Sequence, residues 1–243
     1  MHTSHTPLIG LISGVGPLAG ADVYHKMLAY AATAYDARED NEYPDILLLN
    51  HGISGVDNTA QLSEHFMNEL VSMTSRLQSA GATIIGIACN TAHIYYDNLP
   101  QKTGSATIHL LDAVAAELDS STDRALLLSS STTKKLALYD RYLQIHAVEY
   151  QILPAGLQSI IDTVIQHVMA YQLPDSGHLL DTVLSYALTK GYTTIIAGCT
   201  ELPLAFAQAK LSERFTVVDP NAILAHHLVD AYYQSCAAME TTG

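Results

Sequence analysis

Two stretches of the sequence repeat one pattern: residues 81–91 read GATIIGIACNT and residues 191–201 read GYTTIIAGCTE. Each starts with a glycine of the kind that ends a helix and continues as a short apolar run rich in β-branched residues. Each run then reaches a cysteine, Cys89 in the first copy and Cys199 in the second. Because ligands of open α/β sheets bind beyond the carboxyl ends of the strands, the repeat predicts two thiols that face one cleft.

Strand patterns alternate with helical patterns along the whole chain, which is typical of a parallel α/β architecture. We predict strands at residues 7–13, 45–49, 82–88 and 107–111 in the first half, and at 124–129, 147–152, 193–198 and 215–218 in the second. The order matches pair by pair, and in each half the strand after the cysteine strand ends in an aspartate, Asp112 or Asp219. The sequence therefore predicts two similar α/β lobes in contact.

Helix signals fill the gaps between the strands. Pro17 opens the first helix, and further helices are predicted at 61–80, 159–171 and 177–190, with a last one from Asn221 to about Ala238. The LPDSG stretch at 173–177 predicts a turn between two helices. We expect the last helix to return to the first lobe, which then comprises residues 1–110 and 220–243, while the second lobe comprises 111–219.

Composition narrows the class of partner. The formal net charge is −13 with 11 lysine and arginine residues, which disfavours nucleic acid because phosphate binding needs clustered cations. No apolar run approaches the roughly 20 residues of a membrane span, and the start, MHTSHTP, lacks the regions of a secretory signal. Three cysteines, an odd number, favour reduced thiols. We therefore expect a cytoplasmic protein without a membrane partner.

Three motifs lie in order along the chain: IGLISGVGPLA at 9–19, ACNTAH at 88–93 and AGCTEL at 197–202. They resemble the GGMGP, CNTAH and GCTE motifs of the aspartate/glutamate racemase family, and their separations agree over nearly the whole chain. The resemblance implies two Rossmann-like lobes with parallel sheets, related by pseudo-two-fold symmetry, with the active site in the cleft between them. It also implies an isomerase that needs no cofactor, and commonly a homodimer.

The implied reaction is the inversion of Cα in a small amino-acid substrate, with Cys89 and Cys199 as the catalytic pair. One thiolate removes the α-proton from one face as general base, and one thiol returns a proton to the other face as general acid. An unperturbed thiol has a pKa of about 8.5, so we expect nearby donors to lower the pKa of one cysteine. His93 and Glu201 are the candidates for supporting acid/base groups.

Donors beside the thiols are the candidates for binding the substrate, whose carboxylate and developing negative charge need them. They are Ser13 and Gly14 in the first glycine loop, Asn90 and Thr91 after Cys89, Ser131 and Thr132 in the hydroxyl-rich SSSTT stretch of 129–133, and Thr200 and Glu201 after Cys199. Several of these residue types also cap helices well, and capping and substrate binding can coexist.

The chain departs from aspartate racemases where the resemblance places basic side chains that grip a distal carboxylate. The first position holds Asn58, and the second falls by spacing near Met169. Lys134, Lys135 or His51 could substitute for the missing cations; otherwise the substrate has a neutral side chain, because a buried carboxylate without a cation is costly.

Other interpretations of the motifs receive less support. The spacing between Cys89 and His93 suggests zinc, but no second cluster with ligand spacing follows, so we predict no metal site. The glycine loop lacks the GxGxxG dinucleotide pattern because Pro17 follows Gly16 directly. Cys236 has no polar setting and is predicted to be structural. Two functional alternatives stay open: another isomerase or a decarboxylase of the same superfamily, and a non-catalytic amino-acid-binding protein.

Overall fold

A computed structural model describes residues 6–53, 63–101, 105–118 and 125–241. The strands in these ranges are β1 (Ile9–Ser13), β2 (Ile46–Asn50), β3 (Ile84–Ile87), β4 (Ala106–Thr107), β5 (Ala125–Ser129), β6 (Tyr150–Ile152), β7 (Thr194–Gly198) and β8 (Thr216–Val218). The α-helices are α1 (Pro17–Ala34), α2 (Glu64–Ser79), α3 (Leu110–Ala116), α4 (Ser131–Lys135), α5 (Asp140–Ile145), α6 (Ala155–Met169), α7 (Leu173–Lys190), α8 (Leu202–Phe206) and α9 (Pro220–Glu240). Short 3₁₀ segments lie at Asp40–Glu42, Thr91–Asn98 and Ser212–Arg214.

The strands form two four-stranded sheets with the same order, β2-β1-β3-β4 in the first and β6-β5-β7-β8 in the second. Every pairing in both sheets is parallel. The central strands β1, β3, β5 and β7 are fully buried, as expected when helices cover both faces of a parallel sheet. The prediction of an α/β fold with two similar lobes is confirmed.

The fourth strand of the first sheet is shorter than the sequence predicts. Only Ala106–Thr107 pair with β3, and the chain turns helical at Leu110 instead of continuing as strand to residue 111. The side chain of His109 caps this helix by accepting from the N–H of Asp112. Leu110 and Leu111 are completely or almost completely buried as helical residues, so the apolar run belongs to α3.

Helix α7 begins at Leu173, where the LPDSG stretch predicts a turn. Pro174 fits there because it stands in the first turn, where its missing N–H has no helical partner to lose. Gly177 lies against Gln208, since a Cβ at this glycine would come within 2.5 Å of the Gln208 Cβ. The glycine therefore serves close packing of α7. The last helix is capped by Asp219 rather than by Asn221. The Asn221 side chain instead donates hydrogen bonds to Asp22 and Thr200.

One apolar cluster spans both lobes. It includes Ile9 and Leu11 of β1, Leu127 of β5, Ile196 of β7 and several residues of α9. Helix α9 packs mainly on α1, with further contacts to α3 and β3. The division of the chain into lobes at 1–110 with 220–243 and at 111–219 stays a prediction. No helix in the described ranges has the length and apolar character needed to cross a bilayer.

Candidate active site

The two cysteines sit in the same local structure at the carboxyl ends of β3 and β7. The N–H of Cys89 donates to the carbonyl oxygen of Ile87 at 2.8 Å, and the N–H of Cys199 donates to that of Ala197 at the same distance. A short helical segment starts shortly after each turn, at Thr91 and at Leu202. The repeat in the sequence is thus a repeat in backbone geometry, and both side chains are 8% exposed.

Two hydrogen bonds join the strand ends of the two lobes. The hydroxyl of Thr200, next to Cys199, donates to the carbonyl oxygen of Ala88, next to Cys89, at 3.3 Å. The hydroxyls of Thr91 and Thr133 lie 3.0 Å apart across the same junction. Since each bond involves a residue adjacent or nearly adjacent to a cysteine, the fold brings both thiols to one buried junction. A charge on Cys89 raises the pKa of Cys199, after larger contributions from burial and from Glu201, so the two thiols are within electrostatic range of each other.

The carboxylate of Glu201 is the charged group at this junction. Its Oε2 accepts from the Cys199 thiol at 2.9 Å and from the Thr200 hydroxyl at 3.4 Å. Its Oε1 lies against Gly16 of the first lobe, so close that a Cβ on Gly16 would come within 1.9 Å of it. Gly16 also has a φ of +86°, which favours glycine. Burial raises the pKa of Glu201, which is 6% exposed.

The pKa values of both thiols are raised, and the expectation that donors lower one of them is wrong for this structure. Burial, followed by the negative charge of Glu201, raises the pKa of Cys89 to about 12 and that of Cys199 well above its ordinary value. The expected donors are present, because the N–H groups of Thr91 and Ala92 stabilise a Cys89 thiolate and that of Glu201 stabilises a Cys199 thiolate. Burial outweighs them.

Asn90 and His93 follow Cys89 and are almost completely buried. Within the described ranges, neither polar atom of the Asn90 amide has a hydrogen-bond partner, which is uncommon for a buried amide. His93 Nδ1 lies 2.8 Å from the carbonyl oxygen of Cys89, so this nitrogen carries the proton and donates. Burial lowers the pKa of His93 to about 4 and keeps the ring neutral near pH 7. His93 thus supports the backbone at Cys89, and its acid/base role stays a prediction.

The hydroxyl-rich stretch of the second lobe, residues 129–133, makes contacts in two places. Ser131 donates to Asp162 through both its backbone N–H and its hydroxyl, and it lines a cavity of about 440 Å³ with Lys135 and Gln158. Thr132 is buried. Thr133 is the residue of this stretch that meets Thr91 across the junction, and it is absent from the predicted set. Which hydroxyl of the stretch faces the cleft depends on the position of each side chain around α4. The sequence did not indicate those positions.

The first glycine loop is held against the end of β2. The hydroxyl of Ser13 donates to Asn50 Oδ1 at 3.1 Å. Gly14 has a φ of +101°, and a Cβ there would lie 2.2 Å from the carbonyl oxygen of His51. This close approach explains the glycine. The role of Ser13 and Gly14 in substrate binding stays a prediction.

The candidate replacements for the missing cations are engaged elsewhere. His51 Nε2 lies 3.1 Å from Glu69, and Lys134 Nζ donates to the carbonyl oxygen of Leu153 at 2.6 Å. Lys135 lines the cavity beside Ser131. Met169 ends α6 and is 57% exposed. Asn58 lies outside the described residues.

A polar network behind Thr200 contains residues that the motifs do not include. The amide nitrogen of Asn221 donates to the carbonyl oxygen of Thr200 at 2.8 Å and to Asp22 at 2.7 Å. Lys26 pairs with both Asp22 and Asp219. This network fixes the backbone after Cys199 to α1 and α9. Its only sequence signal is the DPN stretch at 219–221, which by itself reads as a helix start.

Comparisons with known proteins identify the family of this chain. A family model described as Asp/Glu/Hydantoin racemase matches residues 12–228. The broad specificity amino-acid racemase RacX of Bacillus subtilis is 22% identical over 230 residues, which cover 94% of this chain and 100% of that protein.

Solved structures share the fold. The aspartate racemase of Picrophilus torridus is 24% identical with a TM-score of 0.80, covering 93% of this chain and 94% of that chain. The glutamate racemase of Francisella tularensis in complex with D-glutamate is 19% identical with a TM-score of 0.65, covering 94% of this chain and 81% of that chain.

Proposed function

We infer the activity of this chain from its place in the Asp/Glu/Hydantoin racemase family, to which it belongs. The family is one of racemases, so the chain is an isomerase that acts as a racemase. Our proposal is that it inverts Cα of an amino acid by two-base proton transfer between Cys89 and Cys199, without a cofactor. The observation that carries the proposal is the pair of buried thiols at the matching ends of β3 and β7, joined through the Thr200 to Ala88 hydrogen bond.

The proton transfers follow from the contacts at the junction. Glu201 accepts the proton of Cys199, to which it is already hydrogen-bonded, and this leaves a Cys199 thiolate beside a Cys89 thiol. The thiolate takes the α-proton, and Cys89 gives its proton to the opposite face, so that Cys89 ends as the thiolate. The opposite reaction runs the same steps backwards. The α-ammonium of the substrate offsets the negative charge that keeps the pKa values of both thiols high.

We propose substrates with uncharged side chains over aspartate and glutamate. His51 and Lys134 are paired elsewhere, and the charged group described at the junction, Glu201, is an anion. A distal carboxylate would meet this anion in a buried place. The broad specificity in the name of the Bacillus subtilis relative agrees with a site that does not require an acidic side chain. A cytoplasmic location and a homodimer are further proposals from the family resemblance, and light scattering tests the dimer.

The test measures α-hydrogen exchange in deuterium oxide and formation of the D-isomer, with each of the common L-amino acids in turn. The parent is expected to exchange and racemise, while Cys89→Ala and Cys199→Ala lose racemisation by about 1,000-fold or more, since each removes one of two obligatory proton carriers. Cys236→Ala, in α9, is the matched control and retains the parent rate. Racemisation by either single variant at the parent rate would refute the two-thiol mechanism. Thermal stabilisation by an amino acid without exchange would indicate a binding protein instead.

A further inference from the structure

Tyr139 is a buried residue whose polar group is unexplained by the fold. The side chain is 1% exposed and belongs to the apolar cluster that spans both lobes. Its hydroxyl has no hydrogen-bond partner among the described residues. A buried hydroxyl without a partner destabilises a protein, and phenylalanine would fill the same space without that cost. The hydroxyl is therefore best explained by a group that the protein binds.

Tyr139 follows, a few residues along the chain, the segment that carries Thr133, whose hydroxyl joins the lobes. After α4 the backbone turns sharply at Ala137, which has a φ of +50°. The turn lets the N–H of Leu138 donate to the carbonyl oxygen of Thr133 at 3.2 Å. Thr133 in turn contacts Thr91 across the junction. Tyr139 thus follows a segment that is anchored at the cleft.

The phenol is also within electrostatic reach of one of the two sulfurs. Burial raises the pKa of Tyr139, and the charge of a Cys199 thiolate raises it further. The phenol consequently keeps its proton near neutral pH and acts there as a neutral donor or acceptor. A neutral donor beside a site of developing negative charge stabilises that charge.

A second unpartnered polar group lies on the opposite lobe. The amide of Asn90, next to Cys89, is buried, and neither its nitrogen nor its oxygen has a hydrogen-bond partner in the part of the chain that the structure describes. Tyr139 on one lobe and Asn90 on the other therefore offer buried donors close to the two thiols. An amino acid held between the sulfurs carries a carboxylate that needs such donors, and it carries an ammonium that the Asn90 oxygen can accept.

We propose that Tyr139 is a substrate-binding residue whose phenolic O–H donates to the α-carboxylate of the amino acid held between Cys89 and Cys199. The inference rests on the proposed function and extends it to a residue outside the three motifs. Removal of the α-proton spreads negative charge from Cα into the carboxylate. A hydrogen bond from the Tyr139 phenol to that carboxylate strengthens as the charge grows, and so it favours the transition state over the bound substrate.

The experiment compares Tyr139→Phe with Tyr150→Phe. The Tyr150 hydroxyl donates to Asp140 at 2.5 Å, so this second variant removes a satisfied hydroxyl from the same lobe. We expect Tyr139→Phe to lower kcat/KM for racemisation on the order of 10- to 100-fold, the effect of losing one hydrogen bond to a charged group, with a melting temperature no lower than that of the parent. Tyr150→Phe is expected to show the reverse, a lower melting temperature with kcat/KM within about twofold of the parent.

Each other outcome counts against the proposal. Parent-like kcat/KM in Tyr139→Phe would show that the hydroxyl does not touch the substrate, while the proposed function would stand. A fall in melting temperature or a failure to fold in Tyr139→Phe would show that the hydroxyl has a structural partner. A parent protein that neither racemises nor exchanges the α-hydrogen of any amino acid would refute the proposed function, and this inference with it.

Discussion

At the scale of single residues, Glu201 is the residue whose charge raises the pKa of both Cys89 and Cys199. It is buried, accepts a hydrogen bond from the Cys199 thiol, and lies against the backbone of Gly16 on the other lobe. A buried carboxylate paired with a thiol rather than with a cation is costly, and such groups are frequent at functional sites. The position next to the GCT motif made Glu201 a candidate from sequence. Its contact with Gly16 depends on how the lobes meet, which the sequence does not specify.

Replacing Glu201 by glutamine tests its role as the group that takes the Cys199 proton. Glutamine keeps the shape and a hydrogen-bond acceptor but cannot take up the proton, so we expect Glu201→Gln to fold normally and to lose kcat by about 100-fold, the usual effect of removing a proton-transfer group. Glu213→Gln, at an exposed position, serves as the control for loss of one negative charge. Retention of at least half of the parent kcat in Glu201→Gln would contradict the role.

His93 predicts a pH dependence of stability. Its pKa is lowered by burial to about 4, whereas in the unfolded chain it stays near 6.5. As the pH falls from about 7 to 4, the unfolded chain binds a proton that the folded protein does not, so the free energy of unfolding falls by up to about 3 kcal/mol. Urea midpoints at pH 7 and pH 4.5 measure this loss.

The matched variants for this prediction are His93→Asn and His25→Asn. Asparagine at position 93 keeps an N–H donor for the Cys89 carbonyl oxygen but does not titrate, so the acid loss should shrink. His25 is exposed on α1, and its replacement should leave the acid loss as it is in the parent. An equal loss of stability between the two pH values in His93→Asn and in the parent would exclude His93 as the source.

The raised thiol pKa values mark the limit of sequence reasoning at this scale. The motifs located Cys89, Cys199 and their polar neighbours, because a strand end followed by a helical segment is a local pattern. The direction of the pKa shifts depends on burial of both thiols and on the approach of Glu201, and both arise only when the lobes meet. Thr133 lies in the hydroxyl-rich stretch, but its contact with Thr91 was not predicted, and Tyr139 belongs to no motif, because the neighbours of both residues are distant in the chain.

At the scale of elements, local signals predicted the central strands and misplaced some boundaries. Gly81 and Gly191 both have positive φ after a helix, as their patterns indicated. The predicted strand to residue 111 and the predicted turn at 173–177 were wrong, because His109 can cap a helix through its ring and Pro174 is acceptable in a first turn. Both errors concern residues whose local preference allows two structures, and packing decides between them.

Helix α9 depends on its N-cap. Asp219 accepts from the N–H groups of Asn221 and Ala222 at 2.8 and 3.1 Å, and it pairs with Lys26. Asp219→Ala should lower the free energy of unfolding by about 1–2 kcal/mol, mostly through loss of the cap. Asp219→Asn keeps a capping oxygen without the charge and should lose about half as much or less, because a partly exposed ion pair contributes little. Chemical denaturation measures the free energy of unfolding of both variants and so separates the contribution of the cap from that of the charge. Equal losses in the two variants would assign the stabilisation to the ion pair with Lys26.

At the scale of the whole molecule, the internal repeat predicted two similar lobes, and the structure shows that their sheets also share one strand order. The repeat did not predict that the lobes share one apolar cluster, because the residues that meet there come from distant parts of the chain. The Asn221 network behind Thr200 was not predicted for the same reason, since it joins α1, α9 and the turn after β7. Long-range contacts of this kind follow from the assembled fold rather than from any local pattern.

The shared cluster has a consequence for how the protein is made. Leu224, Leu228 and Val229 of α9 belong to it together with Ile9 and Leu11, so its earliest and latest members are separated by nearly the whole sequence. A nascent polypeptide emerging from the ribosome can pair β1 with β2 and β3, but the apolar surface between the lobes stays open until α9 has left the exit tunnel. The interior between the lobes therefore closes only after α9 has been synthesised, and until then the growing chain exposes an apolar surface that favours aggregation.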